Sequence, residues 1–192
     1  MILLFLNIVL YFFIIYLIER NIQFEKGLII KSIIFLLLIP LYNLIIFIKI
    51  PYLIYLIFLI YGIIINILPD KWVKTNSLKF YINRKRLFLI PIAASITEEV
   101  FFRGILNELL LNELSNIMHV SIISSFLFAL IHIFNLFNGL ESKKYFVLTF
   151  PIRFAFGLFF SFLYFKYGII SAIFVHFLVD FSALLRIYKN TL

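Results

Sequence analysis

Two adjacent glutamates and an arginine stand inside a run of residues that is otherwise largely apolar. The run covers residues 87–111, and its charged octet reads Thr97-Glu98-Glu99-Val100-Phe101-Phe102-Arg103-Gly104. Charged side chains in a hydrocarbon environment are costly and therefore rare. Three of them at this position predict a functional site.

The spacing of the three charges separates their roles. On an α-helix Glu99 and Arg103 are four residues apart and share a face, so the pattern predicts an ion pair. Glu98 points about 100° away from Glu99 and is poorly placed for the same arginine. We therefore expect a structural pair and one carboxylate, that of Glu98, left for chemistry.

Two histidines in later apolar runs are candidates to act with Glu98. His176 and Asp180 are also four residues apart, so the carboxylate can bond the imidazole and select its tautomer. Phe128 and His132 share this spacing, which places an aromatic wall beside the second histidine. A lone membrane histidine more often bridges two helices by a hydrogen bond, but a glutamate at matching depth favours a common site.

Arg153 is a third candidate, with three interpretations. It begins a helix at the membrane interface after Pro151, it is the counter-ion of Asp180, or it binds a carboxylate of the substrate.

The composition determines which elements must position these residues. Hydrophobic residues make up 65% of the 192 residues, whereas about half is usual in soluble domains. Apolar runs of about 20 residues recur along the chain, which predicts transmembrane helices. We expect an all-α, multi-pass helical membrane bundle that forms a single integral-membrane domain over residues 1–192, with its motif-bearing core at about 87–187.

The apolar runs predict seven spans. Pro40 falls inside the second and is expected to kink it, and Lys49-Ile50-Pro51 is expected to form a tight turn into the third. The predicted spans are 2–18, 28–48, 52–68, 87–111, 117–137, 146–165 and 169–187.

Loop charges predict the orientation of the bundle. One side collects Arg20, Lys26, six basic residues between positions 69 and 86, Lys143, Lys144, Arg186 and Lys189, and the other has only Lys49 and Lys166. The positive-inside rule then places the N-terminus outside the cell membrane and the C-terminus in the cytoplasm. The net charge of +8 is attributed to such loops, so that the 69–86 segment is a basic cytoplasmic loop on anionic lipid and nucleic acid is not a partner.

Depth in the membrane provides a separate indication of a shared site. Counted from the cytoplasmic ends of their spans, Glu98 and His176 lie roughly 16 Å deep. On the same scale His132 and Asp180 lie about 10 Å deep. Four polar groups from three helices are therefore predicted to occupy one layer.

These residues resemble the motifs of a known family. The octet, with its Glu-Glu-x-x-x-Arg pattern, is similar to the first motif of the CPBP family (CAAX proteases and bacteriocin-processing proteins, also called Abi). Phe128-x-x-x-His132 resembles its second motif and His176-x-x-x-Asp180 its last. The resemblance covers residues 87–182, about half of the chain.

The resemblance implies an intramembrane, metal-independent glutamate endopeptidase. Carried over by position, Glu98 with His132 would activate water, and His176 with Asp180 would stabilise the oxyanion. Glu99 and Arg103 would support the site. Prenyl-processing members usually have asparagine where Asp180 stands, and many bacterial members have aspartate. An ionised aspartate cannot donate a hydrogen bond. We therefore expect Asp180 to act indirectly, by holding His176 as a charged donor.

A zinc site remains open as a second possibility. Glu98, His132 and His176 would supply three ligands and leave one position free, which is the pattern of catalytic zinc. The family resemblance implies that no cofactor is required.

The expected function is hydrolysis of a peptide bond in a membrane-associated peptide or protein, in bacteriocin immunity or peptide maturation. The alternative is a non-catalytic self-immunity or partner-binding membrane protein that keeps the polar layer as structural support. A small transporter is less favoured, because the sequence has no internal repeat.

Overall fold

The computed structural model describes residues 2–67 and 82–189. The predicted lipid-facing loop at 69–86 falls mostly outside these described residues. Its last residues lead into a helix that begins at Arg86.

The described chain is all-helical, as predicted. Its elements are α1 (Ile2–Asn21), α2 (Phe24–Leu41), α3 (Tyr52–Ile67), α4 (Arg86–Glu99), a π-helical segment π1 (Val100–Leu106), α5 (Asn107–Leu114), α6 (Ile117–Ile131), α7 (Ile133–Phe137), α8 (Lys143–Tyr167) and α9 (Ile169–Lys189). Because α4, π1 and α5 are continuous and α6 is followed directly by α7, these elements form seven helical segments that correspond to the seven predicted spans. Four segments are long and apolar enough to cross a membrane, namely Ile2–Asn21, Ile117–Phe137, Lys143–Tyr167 and Ile169–Lys189.

The second predicted span ends earlier than expected. Helix α2 stops at Leu41 rather than near residue 48, and Pro40 lies in its last turn instead of kinking a longer helix. Asn43 adopts a left-handed conformation with φ 50°. The Leu44 amide then donates to the Ile39 carbonyl at 3.1 Å, and the Asn43 amide donates to the Pro40 carbonyl at 3.2 Å. These bonds form a Schellman motif, which caps the helix and prevents its continuation.

The chain after this cap is a non-helical segment that replaces the predicted tight turn. Its backbone bonds to the connection between α8 and α9: the Ile48 amide donates to the Tyr167 carbonyl at 3.0 Å, and the Ile169 amide donates to the Ile45 carbonyl at 2.8 Å. Non-helical backbone at membrane depth requires such partners, because lipid offers none. The bonds also place the two connections at one end of the bundle, as seven alternating spans require.

Contacts at the opposite end agree with the same alternation. Arg86, at the start of α4, pairs with Glu25 of α2 at 3.1 Å. Lys31 of α2 pairs with Glu19 of α1 at 2.8 Å. Loops predicted to share one side of the membrane are therefore in contact.

Gly168 provides a test of the contact between the two connections. Its φ of 94° and ψ of 172° lie in a region that is essentially restricted to glycine, and a Cβ there would lie 2.7 Å from the Ile46 carbonyl oxygen. We predict that Gly168→Ala lowers the thermal stability of the detergent-solubilised protein, with a conformational cost of about 1–3 kcal/mol plus the cost of separating the two connections.

Gly139→Ala is the matched control, because Gly139 also has a positive φ, 71°, but a Cβ there would meet nothing within 4 Å. Equal melting temperatures for the two variants would show that the contact with Ile46 contributes nothing.

Candidate active site

The charged octet lies where α4 becomes the π-helical segment π1. Glu98 and Glu99 end α4, and Arg103 lies inside π1. π-helical turns are rare, and they occur frequently at functional sites. Gly104 lies against Leu44 of the non-helical segment, and a Cβ at this glycine would collide with the leucine side chain.

The carboxylate of Glu99 joins two other buried groups. Its Oε2 lies 3.3 Å from Nε of Arg103, and both side chains are fully buried. Its Oε1 lies 2.7 Å from Nδ1 of His176 on α9. The predicted ion pair is therefore present. The same carboxylate also bonds to a histidine 77 residues away in the sequence, so it links π1 to α9.

His176 is held at both ring nitrogens. Nδ1 bonds to Glu99, and Nε2 lies 3.3 Å from Oδ2 of Asp180. The spacing of His176 and Asp180 predicts the second contact. Because both nitrogens face carboxylates, His176 has no further N–H to offer in this arrangement.

Two phenylalanines enclose this polar chain in an aromatic cage, formed by Phe128 of α6 and Phe160 of α8. The Arg103 guanidinium lies 4.1 Å from the centre of the Phe128 ring and 5.5 Å from that of Phe160. The His176 ring stacks on Phe160 at 4.9 Å, with 15° between the planes. Faces of aromatic rings attract cations, so the cage stabilises the arginine while it keeps water away.

Polar side chains of π1 and α5 also form hydrogen bonds with α8. Arg103 donates to the Gly157 carbonyl at 3.3 Å, and one turn later Asn107 donates to Ser161 at 3.4 Å. Gly157 also allows α6 to approach α8, since a Cβ there would lie 2.8 Å from Cβ of Ser125. Asn107 is not among the residues that the sequence motifs identify. Its position four residues after Arg103 is the signal that could have placed it in the polar stripe.

Glu98 has no such partners. It is half-buried, its Oε2 is inaccessible to solvent, and within residues 2–67 and 82–189 its carboxylate forms no hydrogen bond or ion pair. It is the chain neighbour of Glu99, the carboxylate at the centre of the polar network. A carboxylate without fixed partners beside a polar network is free to bind and deprotonate a water molecule.

His132 lies at the junction of α6 and α7, where its Nδ1 is 2.9 Å from the Phe128 carbonyl oxygen. A carbonyl only accepts, so in the neutral imidazole Nδ1 carries the hydrogen and Nε2 is an acceptor. The two histidines contact the same ring, since His132 lies 5.3 Å and His176 5.9 Å from the centre of Phe128. No hydrogen bond joins His132 to Glu98 in the described part of the chain.

Arg153 has a counter-ion that the sequence analysis missed. It pairs with Glu141, whose Oε1 also accepts from Asn135 at 3.1 Å. The interpretation of Arg153 as the counter-ion of Asp180 is therefore wrong, because a glutamate in the preceding connection occupies the guanidinium. No regular spacing relates Glu141 to Arg153, so the sequence carried no signal for this pair.

The residues proposed as zinc ligands are not gathered into a metal site. Among the described residues, no three side chains of His, Cys, Asp or Glu are grouped closely enough to hold a metal ion. Metal coordination also requires a free lone pair, and both nitrogens of His176 face carboxylates.

Comparison with known proteins identifies a family that the chain matches. Residues 84–182 match the family model described as type II CAAX prenyl endopeptidase Rce1-like. The matched region contains every candidate residue named above in the polar network and at the two histidines. No curated protein and no solved structure gives a match.

Glu99→Gln tests the buried network. The substitution preserves the shape of the side chain but leaves the Arg103 charge buried without its counter-ion, which typically costs about 3–5 kcal/mol. We predict a clear loss of thermal stability and of folded protein in the membrane.

The control is Glu19→Gln, which removes an ion pair with Lys31 whose glutamate side chain is 58% exposed. Exposed pairs contribute about 0–1 kcal/mol. The structural role of Glu99 would be refuted if both variants melted at the wild-type temperature.

Proposed function

Because the chain belongs to the type II CAAX prenyl endopeptidase Rce1-like family, we propose that it is an intramembrane endopeptidase whose general base is Glu98. The observation that carries the proposal is the contrast between two neighbouring carboxylates. Glu99 is committed to Arg103 and His176, whereas Glu98 forms no bond within the described residues. A general base needs an available lone pair within reach of water.

The reaction proceeds by addition of water to the peptide carbonyl. Glu98 removes a proton from the water molecule while the water oxygen bonds to the carbonyl carbon. This addition creates a tetrahedral oxyanion. The oxyanion then reforms the carbonyl, the C–N bond breaks, and the proton held by Glu98 passes to the departing nitrogen. His132 assists by accepting a hydrogen bond from the water at Nε2, the nitrogen that the Phe128 carbonyl leaves free.

His176 and Asp180 support the oxyanion in this scheme. Of the two contacts of His176, the one to Asp180 is the longer, at 3.3 Å, and the Asp180 side chain is 35% exposed. This contact is the easier one to exchange for a substrate oxygen. Asp180 then acts indirectly, by holding the imidazole until the oxyanion forms.

The proposed chemistry uses no metal. Zinc would need Glu98, His132 and His176 together, and the described residues contain no such cluster. The bonds of His176 to Glu99 and Asp180 favour a charged or donating imidazole over a metal ligand. Metal-independent hydrolysis therefore fits the donor set better than zinc catalysis.

The substrate class that we propose is a peptide or protein associated with the membrane, cleaved near the cytoplasmic face. Loop charges support a cytoplasmic C-terminus and an outside N-terminus, and the basic 69–86 loop is proposed to bind anionic lipid. Bacteriocin immunity and peptide maturation are the proposed physiological roles. Arg153 is retained as a candidate for binding a substrate carboxylate, which would have to compete with Glu141.

A second function is favoured by the bridging role of the network. Glu99, Arg103 and Asn107 all link helices, as expected if the polar layer only supports a self-immunity or partner-binding protein. The two functions differ in what they require of Glu98, because a supporting role needs no free carboxylate.

Glu98→Gln separates these functions. In proteoliposomes supplied with a prenylated CAAX peptide and a proteome-derived peptide library, we predict that wild-type protein cleaves peptides. The variant, which keeps the side-chain shape but cannot accept the proton, should be slower by roughly 100- to 10,000-fold. Mass spectrometry of the products measures the rates.

Because Glu98 has no fixed partner, its variant should melt at the wild-type temperature, in contrast to Glu99→Gln. Cleavage by Glu98→Gln at the wild-type rate would contradict the assignment of the base.

Removal of metal tests the absence of a cofactor. We predict that cleavage is unchanged after incubation with EDTA or 1,10-phenanthroline, and that elemental analysis finds far less than one zinc per chain. Loss of activity with a chelator, followed by recovery on addition of zinc, would instead establish the zinc alternative.

A further inference from the structure

The proposed reaction creates a negative oxygen, toward which the network offers only the His176 nitrogen that Asp180 now holds. The Nη1 group of Arg103 has no hydrogen-bond partner, but it is buried. Both nitrogens of His176 face carboxylates. The Arg103 side chain is fully buried in the aromatic cage, with its charge directed to Glu99. Donors that are already aimed at a developing oxyanion contribute strongly to catalysis, so another polar group close to Glu98 is of interest.

Tyr11 of α1 is such a group. It is only 4% exposed, and its ring stacks on Phe101 with 3.9 Å between centres and 18° between planes. It also meets Phe102 and Phe35 edge to face, at 5.9 and 5.7 Å. Three aromatic neighbours therefore fix the ring.

The ring contacts place Tyr11 beside the proposed base. Phe101 and Phe102 follow Glu98 by three and four residues, where α4 passes into π1, so they lie within one turn of the glutamate. Tyr11 packs on both of them. The tyrosine ring and the glutamate therefore both lie at the junction of α4 and π1.

The hydroxyl of Tyr11 differs from those of three other tyrosines inside the bundle. Tyr55, Tyr42 and Tyr164 donate to Ser171, Asn7 and Glu108, respectively. Within the part of the chain that the structure describes, the Tyr11 hydroxyl has no hydrogen-bond partner. The hydroxyl oxygen keeps some accessible surface, since it is not one of the enclosed polar atoms without a partner, so it is a donor that a ligand can reach.

We propose that Tyr11 is a catalytic residue whose hydroxyl donates a hydrogen bond to the substrate carbonyl oxygen as it becomes negative. The inference rests on the proposed peptidase function and adds a donor to it. Tyr11 keeps its proton throughout: Glu98 takes the proton of water and delivers it to the departing nitrogen, and the tyrosine only stabilises the oxyanion between these steps. Because α1 lies outside the matched region 84–182, this donor comes from a part of the chain that the family match does not include.

Tyr11→Phe tests the proposal, since it keeps the stacked ring and removes only the hydroxyl. With the proteoliposome assay and the peptides that wild-type protein cleaves, we expect kcat to fall by about 100- to 1,000-fold. KM should stay within about twofold, because the bond forms mainly in the transition state. The melting temperature should be unchanged.

Tyr16→Phe is the matched control on the same helix. Tyr16 is 54% exposed, and its hydroxyl accepts a hydrogen bond from Arg20 at 2.7 Å, so its removal should leave kcat and KM unchanged. A kcat for Tyr11→Phe equal to that of Tyr16→Phe would overturn the proposal.

Fluorinated tyrosines at position 11 provide a second measurement, which does not depend on the folding of the phenylalanine variant. They keep the ring and change the acidity of the hydroxyl, so kcat should vary with fluorination if the hydroxyl donates to an oxyanion. A kcat independent of fluorination would overturn the role of Tyr11.

Failure of the peptidase function can be distinguished from failure of the Tyr11 inference. If the peptidase function fails, Glu98→Gln matches wild-type protein. If only the Tyr11 inference fails, Glu98→Gln is inactive and Tyr11→Phe is active.

Discussion

The structure depends on one carboxylate that holds two buried partners. Glu99 faces Arg103 with one oxygen and His176 with the other. A fully buried charge is tolerated only when it is paired, and removal of one member leaves the others uncompensated. The three groups therefore stabilise one arrangement of π1 against α9, and through the bond of Arg103 to the Gly157 carbonyl they include α8.

This commitment of Glu99 explains how two adjacent glutamates differ in chemistry. The oxygens of Glu99 face Arg103 and His176, and the side chain is fully buried, so the residue organises the site without being available to water. Glu98, one residue earlier, faces a different direction and has no bonds among the described residues. A rigid network beside a carboxylate without fixed partners is the arrangement that the proposed general-base mechanism requires.

Much of this arrangement was predictable because it is local along the chain. The apolar runs predict the helical segments, and spacings of four residues predict the pairs Glu99–Arg103 and His176–Asp180, which the structure contains. The three motifs also predict the family, which the match over residues 84–182 confirms. Each of these features depends on residues that are close in sequence or on composition.

Features that depend on packing between distant segments were not predictable. The bond between Glu99 and His176 joins residues 77 positions apart, and the pairing of Arg153 with Glu141 follows from the path of a connection. The early end of α2 was missed because apolar residues continue beyond it. The signal there was local, a proline followed by Asn43 in a helix cap, but the apolar run outweighed it in the prediction.

A double-mutant cycle measures whether His176 is coupled to Glu99 or to Glu98. Free energies of unfolding would be measured for Glu99→Gln, His176→Gln and the double variant, and for the corresponding set with Glu98→Gln. We predict a coupling of about 0.5–3 kcal/mol between Glu99 and His176, and a clearly smaller coupling between Glu98 and His176. A coupling of His176 to Glu98 that equals or exceeds its coupling to Glu99 would contradict the division of roles between the two glutamates.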